Sequence, residues 1–178
     1  EKVSLYENVE GGSSAQFQSQ GFVRPPSIPL VEDGRFAGSL ISPRTAQEYG
    51  LETNGAAGHE SPDSLDMKGG SIGSTDILET LDTGVHIGNL WYLNYSDRME
   101  GRMTGMTRFA TFWVENGEVV APLNVMRFDD TIYRVLGENL VDLTKDRNFL
   151  LSAASYFYRS TASAHLPGAL VRDFRFTL

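Results

Sequence analysis

No cysteine occurs in the 178 residues. That removes disulfide staples, a thiol nucleophile and thiolate metal ligands from this chain. Histidine is scarce: His59, His86 and His165 are the three, and no pair of them has helical ligand spacing or an HExxH pattern. Basic residues are outnumbered, 15 Lys plus Arg against 23 Asp plus Glu, for a formal charge of −8. A broad nucleic-acid footprint needs the opposite balance. No apolar run approaches the roughly 20 residues that span a bilayer. The opening EKVSLYENVE has no secretory-signal pattern. The cytoplasm is therefore the expected compartment, and the missing initiator Met suggests a processed or excised piece. No GxSxG nucleophile elbow is read, and the glycine-rich GGSIGS lacks the lysine and spacing of a P-loop.

Hydrophobic residues make up 40%, too many for general disorder. A chain of this length hides roughly 70% of its extended surface on folding. The expectation is one domain over residues 1–178, with residues 1–17 as a peripheral leading segment. SLYE forms a short strand, and GGSSAQFQSQG is a loop. Pro25, Pro26 and Pro29 forbid a regular helix in the next stretch, and Asp33-Gly34 marks a turn between extended pieces.

Ser42 caps a compact helix that begins at Pro43 and closes at Gly50. A second short helix is expected over Thr75–Leu81, stopped by Gly84. VHIGNLWYLNYS reads as one strand, covered on both sides. RFATFWVENGEVVAPLNV is the plainest local signal: alternating side chains on either side of Asn116-Gly117, the sequence of a type I′ hairpin. Pro122 places the returning strand at an edge or bulge. Asp130 is expected to cap a helix containing Ile132, Val135 and Leu136. KDRNFLLSAASYFYRS fits helix or extended chain. ALVRDFRFTL is a terminal strand with Phe174, Phe176 and Leu178 on one face. The fold class is mainly β, or α+β: a twisted antiparallel or mixed sheet, partly barrel-like, with several short helices.

The densest polar stretch is SDRMEGRMTGMTR, residues 96–108. It is expected to be a loop anchored between two strands. Arg102, Thr104, Thr107 and Arg108 are the candidate substrate or partner residues, because arginine clamps a carboxylate through two parallel bonds. An internal salt-bridge network is the competing reading. Asn54 and His59 are secondary candidates in the glycine-rich NGAAGHE. His86 is expected to be a satisfied, partly buried histidine. His165, ahead of a Pro167-Gly168 turn, is a weak metal-ligand candidate. No catalytic residue is assigned. Trp91, Phe109, Phe112 and Trp113 are assigned to packing. An exposed extended edge would allow a peptide or second subunit to add as a strand.

The stretches GFVRPPSIPLVEDG, ISPRTAQEYGLETNGAAG, DTGVHIGNLWYL, GRMTGMTRFATFWVENGEVVAPL and LPGALVRDFRFTL occur in this order. In this the chain resembles, over roughly residues 18–178, the carboxy-terminal domain of the TldD/PmbA family, also called modulator-of-gyrase proteins. The resemblance implies a two-subunit peptide-processing system. Its TldD-type member carries an HExxxH helix and a downstream cysteine at zinc, and its PmbA-type member lacks that site. Here HExxxH would precede residue 1. Where the cysteine is expected the chain has SASYFYRSTASAHLPGALV, with His165 nearby. The implied role is a peptide-recognition and subunit-assembly domain of a zinc metallopeptidase-related protein, itself without a cofactor. Zinc would belong to the intact parent or to a catalytic partner. The alternatives are a noncatalytic PmbA-like partner subunit and a homomeric scaffold. The implied partners are peptide or unfolded-protein substrates and a family subunit, with no nucleic acid or membrane.

Overall fold

The computed structural model describes residues 2–156 and 158–177. Leu178, counted in the expected terminal strand, lies outside them. The chain forms two compact units, Glu1–Gly69 with Arg147–Pro167 and Gly70–Asp146 with Gly168–Leu178.

The first unit is built on strands β1 (Leu5–Asn8), β2 (Ser27–Glu32), β3 (Arg35–Phe36) and β4 (Ser64–Met67), with helix α1 (Pro43–Tyr49) between β3 and β4. Asp33 and Gly34 both take positive φ, 48° and 76°, which makes the tight turn that returns β3 onto β2. The Ser42 hydroxyl accepts from the Thr45 amide at 3.2 Å, and Gly50 closes α1 at φ 67°. Both ends of α1 are as the sequence predicts. β1 lies between β2 and β4. Its flanks Val3 and Val9 are buried.

The second unit holds helix α2 (Ile77–Leu81) and strands β5 (Gly84–Ile87), β6 (Leu90–Asp97), β7 (Arg102–Thr107), β8 (Thr111–Glu115), β9 (Glu118–Pro122) and β10 (Arg127–Thr131). A π-helical turn, Arg134–Glu138, follows, and β13 (Phe176–Thr177) ends the described chain. Between them run the long strands β11 (Leu140–Leu151) and β12 (Ser163–Val171), within which the chain passes from one unit's segments to the other's.

Three sheets result: β11-β12-β4-β1-β2-β3, β13-β10-β7-β6 and β5-β8-β9. The β12–β4 pair is parallel and the other pairs described are antiparallel, so the expected mixed, mainly β class holds. The expected partial barrel does not: among the described residues the strand order of each sheet is linear and none closes. The Asn116-Gly117 hairpin is present, with φ 51° and 76°, and β9 is an edge strand as Pro122 requires.

Several local expectations are corrected. The single strand over 85–96 is two strands in different sheets, parted at Gly88-Asn89. There the Gly88 amide bonds the Ala110 carbonyl at 2.9 Å, and a Cβ on Gly88 would stand 2.9 Å from the Ala110 Cβ. Second, the expected loop over 96–108 is mostly strand: Ser96 and Asp97 end β6, and Arg102–Thr107 form β7, an inner strand between β6 and β10. Its glycine and threonine content concealed it. Third, Asp130 is in β10 and does not cap a helix: its carboxylate holds Arg134 instead. Fourth, α2 stops at Asp82, at φ 57°, because Gly84 is already in β5, and β12 runs extended through Pro167-Gly168 without turning.

Candidate functional site

The sequence-predicted residues fall in two groups. Arg102, Thr104, Thr107 and Arg108 belong to the second unit, and Asn54, His59 and His165 to the first.

On β7, Arg102 Nη1 donates to Asp129 Oδ1 at 3.1 Å, and the Thr104 hydroxyl donates to the Phe128 carbonyl at 3.0 Å. The Arg102 hydrogen bond, followed by one from Ser96, holds the Asp129 carboxyl below its ordinary range. Thr107 is fully buried, and its hydroxyl accepts from the Met126 amide at 3.0 Å. Arg102 is thus ion-paired to the neighbouring strand, and the Thr107 side chain is closed off from solvent.

Arg108 differs. Its guanidinium carbon stands 4.4 Å from the Trp91 ring centre and 4.6 Å from that of Phe109. Both rings are exposed, Trp91 at 52% and Phe109 at 71%, so neither has the packing role expected from the sequence. The stack is pinned from below. The Arg108 amide bonds the Asn89 carbonyl at 3.0 Å, the Gly88 amide bonds the Ala110 carbonyl, and the Thr111 hydroxyl donates to the Phe109 carbonyl at 2.9 Å. Phe109 and Ala110 adopt φ 52° and 25°, and Tyr92 adopts 57°. Bulky side chains avoid this region, so the three hydrogen bonds hold a strained bend in place.

Beside the stack runs β6, the free edge of its sheet. All eight of its residues, LWYLNYSD, are exposed. The expectation that this strand is covered is thus reversed. A long edge strand rich in Trp, Tyr and Leu is a surface that natural proteins keep for a partner or protect. Part of the protection is visible: the register with β7 slips between Trp91 and Asn94 and again between Tyr95 and Asp97.

In the first unit, Asn54 closes its own loop, accepting from the Ile41 amide at 2.9 Å and donating to the Ser39 carbonyl at 2.8 Å. His59 Nε2 is 3.3 Å from Asp63 Oδ1, and Asp63 also takes Arg24 at 2.7 Å. Arg24 reaches buried Glu7 at 3.4 Å. Burial pushes the Glu7 carboxyl up, against the opposing Ser64 amide bond. On β12, His165 Nδ1 lies 3.9 Å from Asp66 Oδ2, and Phe149 packs edge-on against its ring at 5.9 Å. Asp66 is already engaged, by Arg147 and by Asn8 Nδ2 at 2.9 Å. Sequence reasoning missed this Glu7–Arg24–Asp63 and Asn8–Asp66–Arg147 network. Its directly bonded partners lie up to 81 positions apart, and no local spacing joins them. His86 is half-buried, as expected, and faces Phe112.

Zinc needs three or four converging N, O or S donors. Among the described residues no group of three or more His, Cys, Asp or Glu is placed to hold a metal ion. His59 and His165 each meet one carboxylate, and an arginine already occupies each of those carboxylates. Among the described residues, the side chains do not form a zinc site of their own.

Fold and surface together define a mixed-sheet β protein with a pinned arginine–aromatic surface beside an open edge. The chain belongs to the family described as PmbA/TldA metallopeptidase C-terminal domain, which matches residues 1–178. TldE from Thermococcus kodakarensis shares the fold with a TM-score of 0.79 at 18% identity, over 99% of this chain and 40% of that one. A candidate modulator of a DNA gyrase from Thermotoga maritima MSB8 aligns with a TM-score of 0.75 at 21% identity, over 95% and 37%. A candidate modulator of DNA gyrase from Bacteroides thetaiotaomicron VPI-5482 gives 0.73 at 15%, over 99% and 36%. The chain thus spans well under half the length of these solved relatives. No curated protein matches it. Among the described residues no helix is long and apolar enough to cross a membrane.

Proposed function

We propose that this domain recognises extended peptide and assembles subunits within a TldD/PmbA-related metallopeptidase system, and supplies no metal ligand of its own. The observation that carries the reading is β6, an eight-residue edge strand exposed throughout, rich in aromatic residues and next to the Arg108 stack. A sheet edge offers unpaired backbone groups in register, and its alternate side chains give selectivity. Metal chemistry would then come from elsewhere in the full-length protein or from a catalytic partner subunit. The engagement of Asp63 and Asp66 by arginines favours the second source and a PmbA-like, noncatalytic part.

The test uses the full-length protein, alone and mixed with a metal-bearing family member. Sedimentation velocity follows assembly, and cleavage of an unfolded protein follows activity. Trp91→Ser with Tyr95→Ser should weaken assembly or peptide capture at unchanged melting temperature, because both side chains are exposed. If the double variant assembles and captures peptide as the parent does, β6 is not the recognition edge.

A further inference from the structure

Five of the side chains that line the open edge of the second unit are apolar or aromatic, yet its fixed cation is what stands out. Four of the twelve arginines, Arg24, Arg102, Arg134 and Arg147, pair with a carboxylate among the described residues. Arg108 makes no ion pair among the described residues, in a chain with 23 acidic residues against 15 basic ones. Its guanidinium carbon lies over both the Trp91 and the Phe109 ring, and the hydrogen bonds at Gly88, Asn89 and Thr111 fix the bend that presents it.

We propose that Arg108 anchors a carboxylate on an extended acidic polypeptide segment that lies along β6. The proposal rests on the recognition reading above and adds the charge of the ligand. Three physical points carry it. Aromatic faces shed part of the guanidinium's hydration without neutralising its charge, so an arriving anion competes with less water. The planar fork of N–H groups left at the edge of the stack matches a carboxylate through two parallel bonds. The bend is held before the ligand arrives, so little side-chain freedom is lost on binding. A neutral or basic segment gains only the strand pairing, and a basic one meets Arg108 as a like charge.

The experiment measures fluorescence anisotropy of two labelled, end-blocked heptapeptides with the full-length protein at low salt. One is Val-Thr-Val-Asp-Val-Thr-Val and the other has Asn in place of Asp. The acidic peptide should bind roughly tenfold tighter, a difference equivalent to about 1.4 kcal/mol. Arg108→Gln should bring both peptides to the same affinity. Arg108→Lys, which keeps the charge and loses the fork, should retain only part of the preference. The Arg108 side-chain Nε–H resonance of the unaltered protein should move with the acidic peptide and not with the other, a readout independent of any variant's folding. Equal binding of both peptides by the unaltered protein would overturn the acid anchor while leaving strand recognition standing. Binding of neither peptide would overturn both. An acidic preference that survives Arg108→Gln in a folded variant would assign the anchor to another residue.

Discussion

Arg102 and Asp129 join two adjacent strands, β7 and β10, through a single hydrogen-bonded ion pair at 3.1 Å. Both side chains are partly open to water, at 43% and 30% exposure. Screening therefore limits the pair to roughly 1 kcal/mol or less. Its depressed carboxyl gives a definite sign. The stabilisation is complete above the ordinary aspartate range and is lost as pH falls through the lowered value. Arg102→Met should return the Asp129 carboxyl toward its ordinary range, followed by side-chain NMR titration. The stability loss should be about 1 kcal/mol or less at pH 7 and vanish as pH falls through the lowered value. Peptide binding should change far less than with Arg108→Gln.

Buried Glu7 obeys the opposite sign. Its carboxyl is raised mainly by burial, so its ionised form costs stability once pH exceeds the raised value, and the cost is absent below the ordinary range. Arg24, itself almost wholly covered, offsets part of that cost. Arg24→Met would leave the Glu7 and Asp63 carboxylates without their cation. Loss of one member of a buried pair typically costs about 3–5 kcal/mol. Urea unfolding at pH 7 should show a loss of that order, and a smaller one at pH 5, where Glu7 takes up a proton more readily. A loss independent of pH would mean that Arg24 acts through packing alone.

Gly12 sits where no side chain fits. A Cβ there would meet the Ser64 hydroxyl at 2.2 Å and the Ser64 Cβ at 2.4 Å. Ser64 begins β4, and its hydroxyl is 2.6 Å from that of Ser14. Gly12→Ala should destabilise by about 1–3 kcal/mol, the usual range for overpacking. Adding Ser64→Gly removes both clashing atoms and should recover part of the loss. The double-variant cycle, read by thermal unfolding, measures the coupling directly.

The start of α1 depends on a residue outside the helix. Glu60 Oε1 accepts from the Ser42 amide at 2.8 Å, and the Thr45 hydroxyl is the largest influence holding its carboxyl below the ordinary range. The stabilisation it lends is present above the ordinary glutamate range and is lost as pH falls through the lowered value. Glu60→Gln should therefore flatten the acid limb of the stability profile below the ordinary glutamate range. Ser42→Ala should cost about 1 kcal/mol at pH 7, the usual loss of an N-cap hydroxyl.

Elements whose cause is local were legible in the sequence. Ser42-Pro43 and Gly50 set α1, and Asn116-Gly117 and Asp33-Gly34 set their turns, because a cap or a positive φ is decided within a few residues. Elements whose cause is distant were not. Leu90–Asp97 carries the composition of a covered strand, and only its place at the end of a sheet order leaves it open. Arg102–Thr107 carries the composition of a loop, and pairing on both sides makes it a strand. The same division applies to the site. Arg108 was a candidate on its chemistry, but its aromatic flanks come from the fold: Trp91 is brought beside it by β6, and Phe109 is turned outward by a backbone bend that no propensity favours.

The central claim is that this domain contributes recognition and not metal ligands. The most direct measurement is the zinc content of the full-length protein, natively purified, before and after joint replacement of His59 and His165 by Asn. Elemental mass spectrometry should give the same number of zinc ions per chain in both proteins. A fall in that number, in a variant with an unchanged circular-dichroism spectrum, would contradict the account and assign a histidine of this domain to the metal.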